Sequence, residues 1–239
     1  MLSTAALAAC TSAGTSPDRE PSKTTPSKAT TPANPPAFQT DRMSGFGYKT
    51  AWLAFRGLTQ QQVTAALQLS DPKTQGWHDA IASSYAEGGS LVAVTPPVPG
   101  RGGDWVLATS VAILLQEPDI TALSKQTGTE VQYFLSDRIS ETHGWERADG
   151  GHLLRAFEWT GDSGELLKWT GRPDRLELAL GLPDIAGATQ ATADAVFDAD
   201  IDEETVLTLA GQWSVNPQTL DGAPSPGNPL VGRLPGWAG

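Results

Sequence analysis

The stretch Val131 to Gly171, VQYFLSDRISETHGWERADGGHLLRAFEWTGDSGELLKWTG, decides the fold class. Glu130 to Ser136 alternates in polarity and is rich in Val, Tyr and Phe, which predicts a strand. Thr142 to Ala148 and His152 to Trp159 predict two more. Asp149-Gly150-Gly151 between them is a hairpin signal, because glycine enters the left-handed region at no steric cost. Trp159 then leads through Gly161-Asp162-Ser163-Gly164 into Glu165 to Trp169, a fourth strand. Consecutive strands joined by short turns make an antiparallel meander.

Outward from the meander, Leu91 to Thr95 and Trp105 to Ala112 predict two further strands around the loop Pro96 to Gly103. Helix signals lie before and after. Thr59 with Gln62 is a capping box, followed by Val63, Ala66 and Leu67 on one face. Trp77, Ala80, Ile81, Ser84 and Tyr85 continue helical spacing up to Gly88-Gly89. Asp119 caps a short helix ending near Gly128, and Pro173 suits a first helical position before Leu176 and Leu180. Asp200 with Glu203 opens a last helix striped by Val206, Leu209, Ala210 and Trp213. The expectation is an α+β domain over residues 38–239, a mostly antiparallel sheet with helices packed on one face. No period of 20–50 residues repeats, which argues against a solenoid or propeller.

The first residues read differently. MLSTAALAAC ends in Leu7-Ala8-Ala9-Cys10, which resembles the lipobox of bacterial lipoproteins. That resemblance implies a diacylglyceryl group on the Cys10 thiol, and Cys10 is the chain's only cysteine. No Lys or Arg precedes it and the apolar part is short, so residues 1–9 read as a signal-peptide remnant. In residues 11–37, 16 of 27 side chains are Ser, Thr or Pro and none is aromatic or branched aliphatic. Such a segment has too little apolar surface to offset its ordering entropy, so residues 10–37 are expected to be a disordered tether. As a coil it would span roughly 30 Å, and stretched as polyproline about 80 Å. The expected location is the outer face of the bacterial cytoplasmic membrane, with the membrane as partner through Cys10.

Residues 131–171 also resemble a segment of bacterial, often actinobacterial, proteins with no established activity. The resemblance covers about a sixth of the chain and transfers no catalytic residue.

Charge and motifs narrow the function classes. The chain carries 16 basic and 27 acidic residues, net −11, which argues against nucleic acid as a partner because that needs a basic footprint. Gly161-Asp162-Ser163-Gly164-Glu165 looks like the nucleophile motif of chymotrypsin-like proteases, but the upstream His and Asp segments are missing and turn chemistry explains the letters. Asp198, Asp200, Asp202, Glu203 and Glu204 lack the glycine and glutamate positions of a calcium loop and suit a helix N-terminus instead. Gly100-Arg101-Gly102-Gly103 lacks the ending of a phosphate loop. Three scattered His give no zinc spacing, so no metal and no cofactor is expected.

The remaining candidates sit on the meander. Trp145, Arg147, Arg155, Trp159 and Trp169 are candidate ligand contacts, since Trp faces stack on sugars and anchor interfaces. The expected function is a non-catalytic domain that binds another envelope macromolecule, a protein or a glycan. The alternatives are an envelope hydrolase using the carboxylates of Glu158 and Glu165, or His143, and a glycan-binding module using exposed Trp.

Overall fold

The computed structural model describes residues 42–86, 89–161 and 163–236. Cys10, the signal-peptide remnant and the tether therefore lie outside the described residues. The ten described strands are β1 (Thr50–Arg56), β2 (Ser70–Thr74), β3 (Leu91–Val94), β4 (Val98–Gly100), β5 (Gly103–Ser110), β6 (Val131–Asp137), β7 (Thr142–Asp149), β8 (His152–Thr160), β9 (Glu165–Thr170) and β10 (Leu230–Arg233). They form one sheet in the order β2-β10-β3-β5-β1-β6-β7-β8-β9, with β4 paired to β5. Every pairing is antiparallel. The described helices are α1 (Gln60–Ala66), α2 (Trp77–Ser84), α3 (Val111–Gln116), α4 (Ile120–Thr127), α5 (Arg175–Ala179), α6 (Gln190–Asp198) and α7 (Glu203–Trp213). The chain is an α+β protein built on a meander, β6 to β9.

Local chemistry sets several boundaries where the sequence places them. Thr59 and Gln62 close the capping box of α1. Asp119 caps α4, and Gly128 ends it with φ 67°. Other boundaries move by a few residues. The cap of α5 is Asp174, whose carboxylate accepts from the N–H groups of Leu176 and Glu177, so Pro173 stands outside the helix. The cap of α7 is Asp202 with Thr205, because Asp200 takes a positive φ of 51° that no helix entry uses. The strand predicted to reach Ala112 stops at Ser110, whose Oγ accepts from Ala112 N at 2.9 Å and starts α3.

The sheet buries both faces. On one, an aromatic row crosses five strands in register: Trp52 of β1, Phe134 of β6, Trp145 of β7, Phe157 of β8 and Trp169 of β9. Ring centroids lie 5.2 Å apart for Trp52–Phe134, 4.2 Å for Trp145–Phe157 and 5.9 Å for Phe157–Trp169. Each such pair contributes about 0.5–1.5 kcal/mol beyond area burial. Helices α2, α6 and α7 cover this face. The other face is aliphatic, with Leu53, Val94, Val106, Ala108 and Val131 under α1, α3 and α4. Helices thus pack on one face, as the sequence suggests, and on the opposite face as well. Two covered faces explain why β1, TAWLAFR, is buried over six of seven positions and carries no polar alternation.

Candidate functional site

The Trp face ends in a cleft at the corner where β1 finishes and β6 begins. Arg56 is the last residue of β1, and its N–H donates to the carbonyl of Glu130, just ahead of β6. Arg147 lies on β7 beside a register shift at Ala148. Arg101 sits in the β4–β5 turn, held by its N–H to Ser214 O at 2.7 Å. Arg175 is the first residue of α5, and Trp213 the last of α7. With Trp105, Glu130, Asp174, Leu176 and Gln212 they line a cavity of about 300 Å³. Gly100 permits the corner: a Cβ there would stand 2.5 Å from Val215 Cγ2 and 2.6 Å from Ser214 O.

A buried carboxylate organises the arginines. The Glu130 side chain is 7% exposed. Its Oε1 accepts from Arg147 Nε at 2.6 Å and from Gln132 Nε2 at 2.8 Å, and its Oε2 lies 3.6 Å from Arg56 Nη1. Arg56 Nη2 also donates to Gly102 O at 2.8 Å. The Arg147 guanidinium lies over the Trp213 ring, 5.8 Å from its centroid. Trp213 Nε1 donates to Asp174 Oδ2 at 3.0 Å, and Trp105 Nε1 to Arg101 O at 2.9 Å. Both indole N–H groups are thereby spent inside the protein, and both rings are buried, 1% exposed for Trp105 and 7% for Trp213. Four guanidinium groups against two carboxylates make this a cationic hollow on an acidic chain, suited to holding an anion.

Of the five sequence-derived contact residues, only Arg147 reaches this cleft. Trp145, Trp159 and Trp169 are 0%, 3% and 9% exposed, so the expectation of Trp faces open to a glycan is corrected: they are core. Arg155, 3% exposed, is likewise corrected to a structural role. Its Nε donates to Glu177 Oε1 at 2.7 Å, and its guanidinium lies 4.4 Å from the Trp169 ring centroid. Glu177 Oε1 also accepts from Trp145 Nε1 at 2.7 Å, and Oε2 from Asp174 N at 3.0 Å. This buried ion pair fixes α5, which carries Asp174 and Arg175 to the cleft.

The suggested carboxylate pair is also rearranged. Glu165 stands exposed opposite Thr160, while Glu158 stands opposite Lys168. Lys168 Nζ is 2.8 Å from both Glu158 Oε2 and Glu146 Oε1, and it also pairs with Glu117. Burial, with Glu158 and then Asp119 adding repulsion, pushes the Glu146 carboxyl up to about 7. Burial raises Glu158 as well. Sequence reading missed Glu146 as the neighbour of Glu158, although both occupy positions facing the second side of the sheet. The ammonium group stands where glycoside hydrolysis needs a sugar or water between the carboxyls.

His143 is 4% exposed, and burial holds its pKa below the ordinary imidazole value. Its Nδ1 lies 3.3 Å from Ser136 Oγ, and that hydroxyl donates to Glu203 Oε1 at 3.3 Å. The serine stands between imidazole and carboxylate, the reverse of a hydrolytic triad, in which the imidazole is in the middle. Gly161, Ser163 and Gly164 lie in turn conformation between β8 and β9, and Asp162 lies outside the described residues. The acidic cluster divides into separate partners: Asp202 caps α7, Glu203 pairs with Arg138 at 3.3 Å, and Glu204 accepts from Tyr48 Oη at 2.7 Å.

The arrangement defines an α+β domain with a cleft lined by four arginines, two of them ordered by Glu130. No protein-family model, no curated protein and no solved structure matches the chain. Among the described residues, no helix is long and apolar enough to cross a membrane.

Proposed function

We propose that this chain is a bacterial lipoprotein, tethered through Cys10 to the outer face of the cytoplasmic membrane, whose folded domain binds an acidic macromolecule of the envelope without transforming it. The observation that carries the reading is the cleft: Arg56, Arg101, Arg147 and Arg175 converge on one hollow in a chain of net charge −11. On a surface dominated by carboxylates, such a hollow attracts an anion from a distance. Its own carboxylates are committed, Glu130 to Arg147 and Gln132, and Asp174 to the α5 cap and Trp213. Neither stands ready as a general base.

The test is a pull-down from the envelope fraction with wild type and Arg147→Gln side by side. The expected result is a partner retained by wild type at low salt, released as salt rises, and lost in the variant. Equal capture by both proteins refutes the cleft. Intact-mass analysis of the native protein tests the anchor, and an unmodified Cys10 refutes it. A second reading, an envelope hydrolase, has only the raised carboxyls of Glu146 and Glu158 in its favour, and Lys168 fills the gap between them. Turnover of wall fragments that disappears in Glu158→Gln would establish it in place of the first.

A further inference from the structure

We infer that the arginine cleft takes a phosphate monoester on a small organic body. This rests on reading the cleft as the binding site and adds the chemistry of what it grips, a terminal phosphorylated unit of the acidic envelope partner. Charge comes first. Four guanidinium groups against Glu130 and Asp174 leave about +2 in the hollow. A phosphate monoester carries about −1.5 to −2 near neutral pH, whereas a diester or a single carboxylate carries one charge.

Geometry comes second. Glu130 holds Arg147 only through Nε, and among the described residues no hydrogen bond or ion pair engages its two Nη atoms. The side chains of Arg101 and Arg175 have no such partner among the described residues either, and both are exposed on the rim. The planar guanidinium fork offers paired N–H donors that match phosphate oxygens, and a monoester presents three of them. Glu130, Gln132 and the Trp213 ring order Arg147 beforehand, which lowers the entropic cost of binding.

The walls supply the third argument. The half-buried Leu176 side chain lies on the wall beside the arginines, while the Trp105 and Trp213 rings that also line the hollow are buried, with their indole N–H groups satisfied internally. Leu176 offers carbon to a ligand, which a bare phosphate does not use. A volume of about 300 Å³ holds the phosphate and a few attached atoms but no long polymer segment. The cleft therefore recognises one phosphorylated unit.

Calorimetric titration of the full chain with glycerol 3-phosphate, inorganic phosphate, dimethyl phosphate and succinate tests this. Glycerol 3-phosphate is expected to bind at least about tenfold tighter than dimethyl phosphate or succinate, and several-fold tighter than inorganic phosphate. Arg147→Gln is expected to weaken it at least about tenfold, as is the double variant Arg101→Gln/Arg175→Gln. The double variant touches only exposed groups without described partners, so it tests the site even if Arg147→Gln unfolds. Absence of glycerol 3-phosphate binding, equal binding of succinate, or an unaffected double variant would overturn the inference. Inorganic phosphate binding as tightly as the ester would overturn the organic body, and retention on phosphatidic acid vesicles without a glycerol 3-phosphate response would overturn recognition of a single phosphorylated unit. Envelope capture that depends on Arg147 while glycerol 3-phosphate fails to bind refutes the phosphate chemistry and leaves the envelope reading intact. Glycerol 3-phosphate binding with no envelope capture refutes the envelope reading alone.

Discussion

Replacing Glu177 by Gln removes one negative charge from the interior while keeping the side-chain shape. The Glu177 side chain is 1% exposed and the Arg155 side chain is buried as well. Glu177 accepts from Arg155 Nε and Trp145 Nε1 on one oxygen and from Asp174 N on the other. A Gln side chain has one acceptor oxygen, so at least one of these donors faces an amide NH2 whichever way the amide turns. The larger loss is electrostatic, because Arg155 stays buried and charged without its counterion. Breaking a buried pair from one side costs about 3–5 kcal/mol. The Trp169 ring under the guanidinium is in place before and after the change, so it offsets none of this cost. We expect Glu177→Gln to destabilise the protein by about 3 kcal/mol, a large fraction of the roughly 5–15 kcal/mol typical of a native protein. Urea unfolding followed by Trp fluorescence measures it. The double variant Arg155→Met/Glu177→Gln should recover at least about 1 kcal/mol relative to the single change, because no unpaired charge is left. A cost below about 1 kcal/mol for Glu177→Gln, or no recovery in the double variant, would refute this account of the pair.

Three further outcomes are expected. The Glu146 carboxyl is pushed from 4.5 to about 7 by burial and Glu158, so its ionised form opposes folding. The contribution it makes is fully present below about pH 4.5 and is lost as pH rises towards about 7. Urea midpoints measured across that window should fall less steeply in Glu146→Gln than in wild type. Lys168→Met removes the cation shared by Glu117, Glu146 and Glu158, and should cost about 1–3 kcal/mol more at pH 8 than at pH 5, read from the same unfolding curves. Gly100→Ala drives a Cβ into Val215 and Ser214, and should cost about 1–3 kcal/mol by thermal unfolding while weakening anion binding at the displaced Arg101.

Legibility followed burial and local chemistry. The meander was readable because β7 and β8 meet at Asp149 and His152 through Gly150 and Gly151, both with positive φ. The helices α1 and α4 were readable because their caps are encoded within three residues. Strand β1 was not read: buried on both sides, it lacks the period-two contrast that marks a half-buried strand. Strand β2, SDPKT, is exposed throughout and so has no apolar signal at all. The cleft was legible only at Arg147, because its other arginines are separated by long stretches of chain.

What the sequence determined by itself was the α+β class, the central hairpin turns, the helix caps at Thr59 and Asp119, and the acidic balance. These depend on residues next to one another or on simple counts. Tertiary structure alone decided that Trp145, Trp159 and Trp169 are core, that Glu158 faces Glu146 across Lys168, and that Arg56, Arg101, Arg147 and Arg175 share one hollow. Those facts depend on strand order, register and which face a helix covers, and residues far apart in the chain acquire a common environment only when the sheet closes them together.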